Sequence, residues 1–217
     1  MTQPIARVLT RDEQQQLTPD EVLERLQRGN ARFVDGDITH RDHQAQVRAA
    51  AAGQWPKAVV LSCLDSRIPV EDVFDCGIGD LFVARVAGNI VNADILGSME
   101  FACAVSGAKL VYVLGHEHCG AIKGAIDLDA VRQLGLANLN TLLGAIAPVA
   151  AGVSGDHGPR ASDNPAFVHQ VSEENVRRTL RRIREESPVL RDLEAQGRIK
   201  IAGGMYDMDT GAVTAIA

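Results

Sequence analysis

Nowhere in the 217 residues does an apolar run approach the roughly 18 needed for a helix to span a membrane. Residues 1–12 also lack the apolar core of a secretory leader, so the expected location is cytoplasmic, with no membrane partner. Positive charge is in deficit: 22 lysines and arginines stand against 28 aspartates and glutamates, a net charge of −6. A nucleic-acid surface needs a basic face, and that class of partner is excluded on this ground. Small anions are not excluded, because one arginine can hold them locally. Cysteine is limited to four residues, and without a leader these read as reduced thiols or metal ligands rather than a disulfide framework. Internal repeats are absent.

What is present belongs to an ordinary globular chain. Hydrophobic residues make up 46% and charged residues 23%, which argues against disorder. The length suits one sizeable core, and residues 1–217 are read as a single domain.

Thr18-Pro19-Asp20-Glu21 combines a capping hydroxyl, a proline at the first helical position and a glutamate three residues after the cap. The helix it starts is expected to stop near Gly29, and Val22, Leu23 and Leu26 give it an apolar stripe that must pack on another surface. His40 and His43 lie in a polar stretch with no further ligand nearby and read as solvated, ahead of a short helix over 44–52. Strands are expected over 58–62, 80–86, 109–114 and 198–206, with a final one over 213–216 after the turn Asp209-Thr210-Gly211. Between them, Asp94 caps a helix running to Val105, and Ile122 and Ile126 mark another after Cys119. Residues 147–165 read as a loop. A long helix then carries Phe167, Val171, Val176, Leu180 and Ile183 inward, and Ser187-Pro188 opens a short one that Gly197 ends. Arg177, Arg178, Arg181 and Arg182 on the outer face of the long helix are interleaved with glutamates and read as a solvated face. The alternation of strands and helices predicts an α/β fold: a mainly parallel sheet of about four strands with an antiparallel edge strand, flanked by helices.

Chemistry gathers at two strand ends. The buried run over 58–62 delivers Cys63, Asp65 and Arg67 to its carboxyl end, where open α/β sheets keep their sites. The strand over 109–114 leads into Gly115-His116-Glu117-His118-Cys119. If the two strands are parallel neighbours, Cys63, His116 and Cys119 converge, and two thiolates with one imidazole suit zinc. Structural zinc sites usually take four protein ligands, often as paired C-x-x-C motifs. Here the first ligand lies 53 positions before the histidine and three ligands leave one position open, the catalytic pattern. Cys103 sits in an apolar helical segment and reads as core, and no role is assigned to Cys76.

Cys63-Leu64-Asp65-Ser66-Arg67 and His116-Glu117-His118-Cys119 together resemble the C-x-D-S-R and H-x-x-C signature of the β-class carbonic anhydrases, and residues 24–33, 79–89 and 201–211 extend the likeness. The resemblance implies one zinc per chain and reversible hydration of CO2 to bicarbonate by zinc-bound hydroxide. It gives Asp65 the task of orienting that hydroxide and Arg67 that of holding Asp65 off the metal; unrestrained, Asp65 becomes a fourth ligand. Gln54 matches a glutamine that reaches substrate from a partner subunit, and Phe82, Ala87, Gly88 and Phe101 match pocket-lining positions. Amino-terminal helices that lie across a neighbour imply a homodimer or a dimer of dimers. His118 matches a variable position. In one branch of the family a second bicarbonate pocket is built from a tryptophan, an arginine and a tyrosine; Arg85 and Tyr206 match two of them, but Val60 stands in place of the tryptophan, and no bicarbonate cooperativity is expected. Hydrolysis of carbonyl sulfide or carbon disulfide on the same scaffold, and a thiol-based redox sensor without turnover, are the competing readings. Asp65 and Arg67 favour the enzyme, since a sensor needs no orienting carboxylate.

Overall fold

In the computed structural model, which describes residues 4–155 and 157–216, the run Ala58–Ser62 (β1) is buried at every position. Its burial follows from its place in the sheet, since it lies between two parallel neighbours, Leu81–Arg85 (β2) and Leu110–His116 (β3). Lys200–Tyr206 (β4) pairs in parallel with β3, and Val213–Ile216 (β5) closes the far side antiparallel to β4. The order β2-β1-β3-β4-β5 gives five strands, four of them parallel. The expected architecture is therefore observed. β3 extends two residues further than its apolar run, so His116 is itself a strand residue, in register with Tyr206.

Helices cover both faces: Arg11–Gln16 (α1), Pro19–Val34 (α2), His43–Ala50 (α3), Val70–Val73 (α4), Ala93–Glu100 (α5), Gly120–Ile126 (α6), Leu128–Arg132 (α7), Ala137–Gly152 (α8), Pro165–Glu186 (α9) and Pro188–Ala195 (α10). Among the described residues none is long and apolar enough to cross a membrane. On one face Val22 and Leu26 of α2 pack with Val60, Tyr112 and Leu114. On the other, Val176, Leu180 and Ile183 of α9 meet Val59, Leu61, Val111 and Val113. A third apolar cluster joins α6, α8 and α9 around Cys63 and Cys119.

Three expectations are corrected. α2 does not stop at Gly29 but runs to Val34, because Gly29 is where the helix crosses the backbone of Phe74; a Cβ there would overlap the Phe74 carbonyl. The glycine is a contact point and not a cap. The apolar stripe of α2 is satisfied by this chain's own sheet, with Val22 and Leu26 buried there, so that stripe gives no support to packing on a partner. Asn92, not Asp94, caps α5 by accepting from the Ile95 amide, and the helix widens into a π-helical turn over Phe101–Val105. The loop expected from residue 147 begins after Gly152, since α8 continues through Pro148. Ile146, Val149 and Ala150 are buried and hold that last turn in place, and Arg178 Nη1 donates to the Ala145 carbonyl at 2.8 Å beside the proline. Packing outweighs the hydrogen bond that proline removes.

Candidate metal centre

Parallel pairing of β1 with β3 sets Ser62 opposite Leu114, so the residues that follow each strand emerge side by side. Cys63, His116 and Cys119 bring their ligand atoms within 4.8 Å of one another, and all three residues are buried. The two sulfurs are 3.9 Å apart.

The protonation of the imidazole follows from its neighbours. His116 Nδ1 lies 2.8 Å from the Glu117 carbonyl, which can only accept, so Nδ1 carries the proton and Nε2 presents its lone pair. Nε2 is buried and has no hydrogen-bond partner. An orphaned acceptor facing two thiols is costly in an apolar setting and is what a metal would satisfy. The thiols differ in acidity. The Cys119 thiol, at hydrogen-bond distance, then the facing His116 ring and the Gly88 amide, 3.3 Å from the sulfur, favour the Cys63 thiolate against the opposing effect of burial; Cys119 is correspondingly raised. Cys63 thus ionises first. The donor set of two soft sulfurs and one imidazole fits zinc, and among the described residues these three form the only such group found.

Asp65 stands beside the centre but is turned to Arg67. Arg67 Nε donates to Oδ1 at 2.9 Å, Nη2 to Oδ2 at 2.7 Å, and the Arg67 amide to Oδ1 at 3.0 Å. These bonds outweigh partial burial and hold the Asp65 carboxyl at about 2. The turn that carries both residues is clamped by Arg85, whose Nε donates to the Cys63 carbonyl at 2.9 Å and whose Nη2 donates to the Asp65 carbonyl. The resemblance assigns Arg85 only to a bicarbonate pocket; nothing in its sequence neighbourhood signals this clamp. Val60, the third position of that comparison, is wholly buried within β1.

The turn over 87–89 closes the other side. Gly88 takes φ 73°, and a Cβ there would run into Ile146 Cδ1 and Ala121, so only glycine lets its amide reach Cys63. Helix α9 secures this turn from below: Asn175 Nδ2 donates to the Gly88 carbonyl at 2.8 Å and Thr179 Oγ1 to the Asn89 carbonyl at 3.3 Å. Neither residue was singled out in the sequence. A signal existed, since both are polar at inward positions of an otherwise apolar stripe.

The remaining candidates fall outside the cluster. Phe82 and Phe101 meet edge to face, 6.3 Å between centroids, and line a groove of ≈710 Å3 with Ile95 along the free edge of β2; no metal-ligand candidate lines it. Gln54 is exposed and precedes β1, at the opposite end from Cys63. Five strand residues span about 16 Å, which puts Gln54 out of reach of its own chain's centre. His118 is exposed, with φ 54°. His40 and His43 are exposed and belong to no ligand group. Cys103 and Cys76 are buried thiols whose pKa values burial pushes up, to about 12 and about 11, as inert core cysteines should be.

Comparison with known proteins adds the lineage. The family model described as "Carbonic anhydrase" matches residues 58–213. A protein of Mycobacterium tuberculosis named carbonic anhydrase 2 is 34% identical over 187 residues, 86% of this chain and 87% of that one. Among solved structures, the β-carbonic anhydrase CcaA aligns with a TM-score of 0.69 at 24% identity, over 90% of this chain and 95% of the other. One of two β-carbonic anhydrases from Sordaria macrospora, described as tetrameric, aligns at 0.63 and 21% over 79% and 85%.

Proposed function

This chain belongs to the β-class carbonic anhydrase family, and on that footing we propose that it interconverts CO2 and bicarbonate at a zinc ion held by Cys63, His116 and Cys119, one ion per chain. The observation that carries the reading is the buried, unpartnered Nε2 of His116 beside two thiols, with a carboxylate kept aside by its own arginine. Zinc bound there would act as a Lewis acid that makes water a usable nucleophile near neutral pH.

The chain's own groups then divide the work. Asp65, ionised and fixed by Arg67, is an acceptor-only group beside the ligand set, suited to receive the nucleophile's proton in a hydrogen bond and so orient it. Arg67 also prevents Asp65 from becoming a fourth ligand. Arg85 and the Gly88 turn fix the positions of Cys63 and Asp65, and Asn175 and Thr179 fix the turn. Ala87 and Gly88 are assigned as apolar lining for a substrate without charge or donor, and Phe82 and Phe101, which lie away from the ligand cluster of their own chain, as lining for the centre of a second copy. Gln54, unable to reach its own centre, is assigned to that of a second copy, which makes the working form a homodimer or a dimer of dimers. His118 is given no catalytic role. We also read residues 1–217 as one domain, in keeping with a single sheet whose two faces are covered by helices from along the chain.

Carbonyl sulfide and carbon disulfide remain alternative electrophiles for the same centre, but no feature of the site selects sulfur over oxygen. The test is stopped-flow CO2 hydration with parallel zinc analysis, before and after a chelator. Turnover that disappears with the metal and returns with added zinc supports the reading. Metal-free protein of full activity, or zinc-loaded protein without activity, overturns it.

A further inference from the structure

At the amino-terminal edge of the sheet, helix α2, the entry to β1 and the segment 74–80 enclose a cleft of ≈410 Å3. Its floor, Lys57, immediately precedes β1, whereas Cys63 follows it, so about 16 Å of strand separates this cleft from the metal centre. The charge of its lining is opposite to that of the chain. Arg25, Arg28, Arg32, Arg41 and Lys57 face it against only Asp75 and Asp80, which leaves three positive charges in a protein of net charge −6.

Both carboxylates are already engaged. Asp75 has no exposed side-chain surface and receives Arg32 Nε at 2.6 Å and Arg41 Nη1 at 2.5 Å. Asp80 takes Lys57 Nζ at 3.1 Å. Arg25 and Arg28 are exposed and have no carboxylate at ion-pair distance among the described residues. On α9, by comparison, Arg177, Arg181, Arg182 and Arg184 each meet a glutamate at 2.5–3.3 Å, whereas Arg178 bonds a carbonyl instead. The positions of Arg25, Arg28 and Arg32 at i, i+3 and i+7 bring them onto one face of α2, where only Arg32 has a carboxylate at ion-pair distance and Arg25 feels Glu21 a turn away, so the repulsion is only partly offset.

We propose that this cleft is a binding site for a small, multiply charged oxyanion of the phosphate type. A dianion relieves the repulsion along α2. Guanidinium groups offer planar donor forks that match phosphate oxygens, and the nearly buried Lys57 adds a point charge at the base. The volume lies in the range of small-molecule sites, with room for more than a bare phosphate. Inorganic phosphate and a phosphate monoester share this chemistry.

The experiment is isothermal titration calorimetry on the full chain at fixed ionic strength, with inorganic phosphate and phenyl phosphate as separate probes and chloride as the control. Saturable binding of phosphate at one site per chain is expected, tighter phenyl phosphate binding marking a monoester site and weaker binding a site for the free ion. The double variant Arg25→Gln, Arg28→Gln should weaken it about tenfold or more, because it removes charge-assisted hydrogen bonds, while CO2 hydration measured without phosphate is unchanged. Cys63→Ser, which removes a metal-ligand candidate, should retain it. Binding that persists in the arginine variant and disappears in Cys63→Ser places the anion at the metal centre and overturns the proposal. So does the absence of saturable binding in the wild type, including the case in which the arginine variant dissociates by light scattering and so reveals carboxylates of a second copy as the true counter-charge.

Discussion

Arg67 grips both carboxylate oxygens of Asp65 from two residues away, through Nε at 2.9 Å and Nη2 at 2.7 Å. The geometry keeps a potential metal ligand out of the ligand set and keeps it charged. Because the carboxyl sits at about 2, Asp65 is anionic throughout any working range, and changes of rate around neutrality do not report its titration. Removing the grip frees the carboxylate to join Cys63, His116 and Cys119. Arg67→Gln is therefore expected to lower kcat/KM for hydration by about tenfold or more, the usual range for groups that orient a metal site. In the wild type the rate should rise from neutral toward alkaline pH, as the nucleophile deprotonates. Stopped-flow pH profiles of both proteins check this, and a profile that falls with rising pH would contradict it.

Metal content gives the second prediction. Cys63→Ser and His116→Asn each remove one of three candidate ligands, so zinc should fall from about one per chain toward none on dialysis. Cys103→Ala, in the core and away from the cluster, should keep its zinc. Mass spectrometry of the purified proteins reads both outcomes.

Asp75 provides a stability prediction with a defined pH window. Burial pushes its carboxyl up, but hydrogen bonds from Thr39, Arg41 and Arg32 more than offset this and leave it at about 2. A carboxyl depressed below its unfolded value of about 3.9 contributes stability that is complete above that value and is lost as pH falls toward the folded one. Asp75→Asn should cost about 3 kcal/mol near neutrality, since it leaves two arginines without their buried partner. Asparagine tolerates the left-handed backbone of this position, φ 46°, so the loss reports charge and not strain. Denaturant unfolding of both proteins near neutrality and below pH 4 should show the gap narrowing in acid.

If Gln54 serves the centre of a second copy, the site is divided between chains and variants should complement. Gln54→Ala and Cys63→Ser, each impaired alone, should regain part of the wild-type rate when unfolded together and reassembled, because some assemblies then hold one intact centre. No gain on mixing would restrict the site to a single chain.

Bicarbonate should act as a simple product inhibitor. With valine at position 60, wholly buried in β1, the indole donor is missing, and Arg85 is spent on the carbonyls of Cys63 and Asp65. Initial hydration rates against bicarbonate at fixed pH and ionic strength should follow a hyperbola, and a sigmoid would overturn this.

Residues that act through a local pattern were legible in the sequence. Thr18 and Glu21 form the expected capping box, and β-branched runs bounded by polar turns gave all five strands to within two residues. The candidate ligand cluster was legible too, because parallel neighbouring strands bring Cys63, His116 and Cys119 to one end, and their soft donor types suit a metal. The opposite holds wherever two distant segments touch. Gly29 looks like a helix end and is a crossing point with Phe74; Pro148 looks like a loop and sits in a helix held by Ile146 and Val149. The burial of α2's stripe on its own sheet, Arg85 on the Cys63 turn, Asn175 and Thr179 under Gly88 and the arginine cleft over Lys57 were likewise decided only by the tertiary structure. A periodic pattern reports which face of an element is buried, but not what buries it, and a lone arginine or glycine carries no record of the segment it will meet. Short-range energetics therefore wrote the elements and ligand types into the sequence, whereas the long-range packing that tunes the site exists only once the chain has closed on itself.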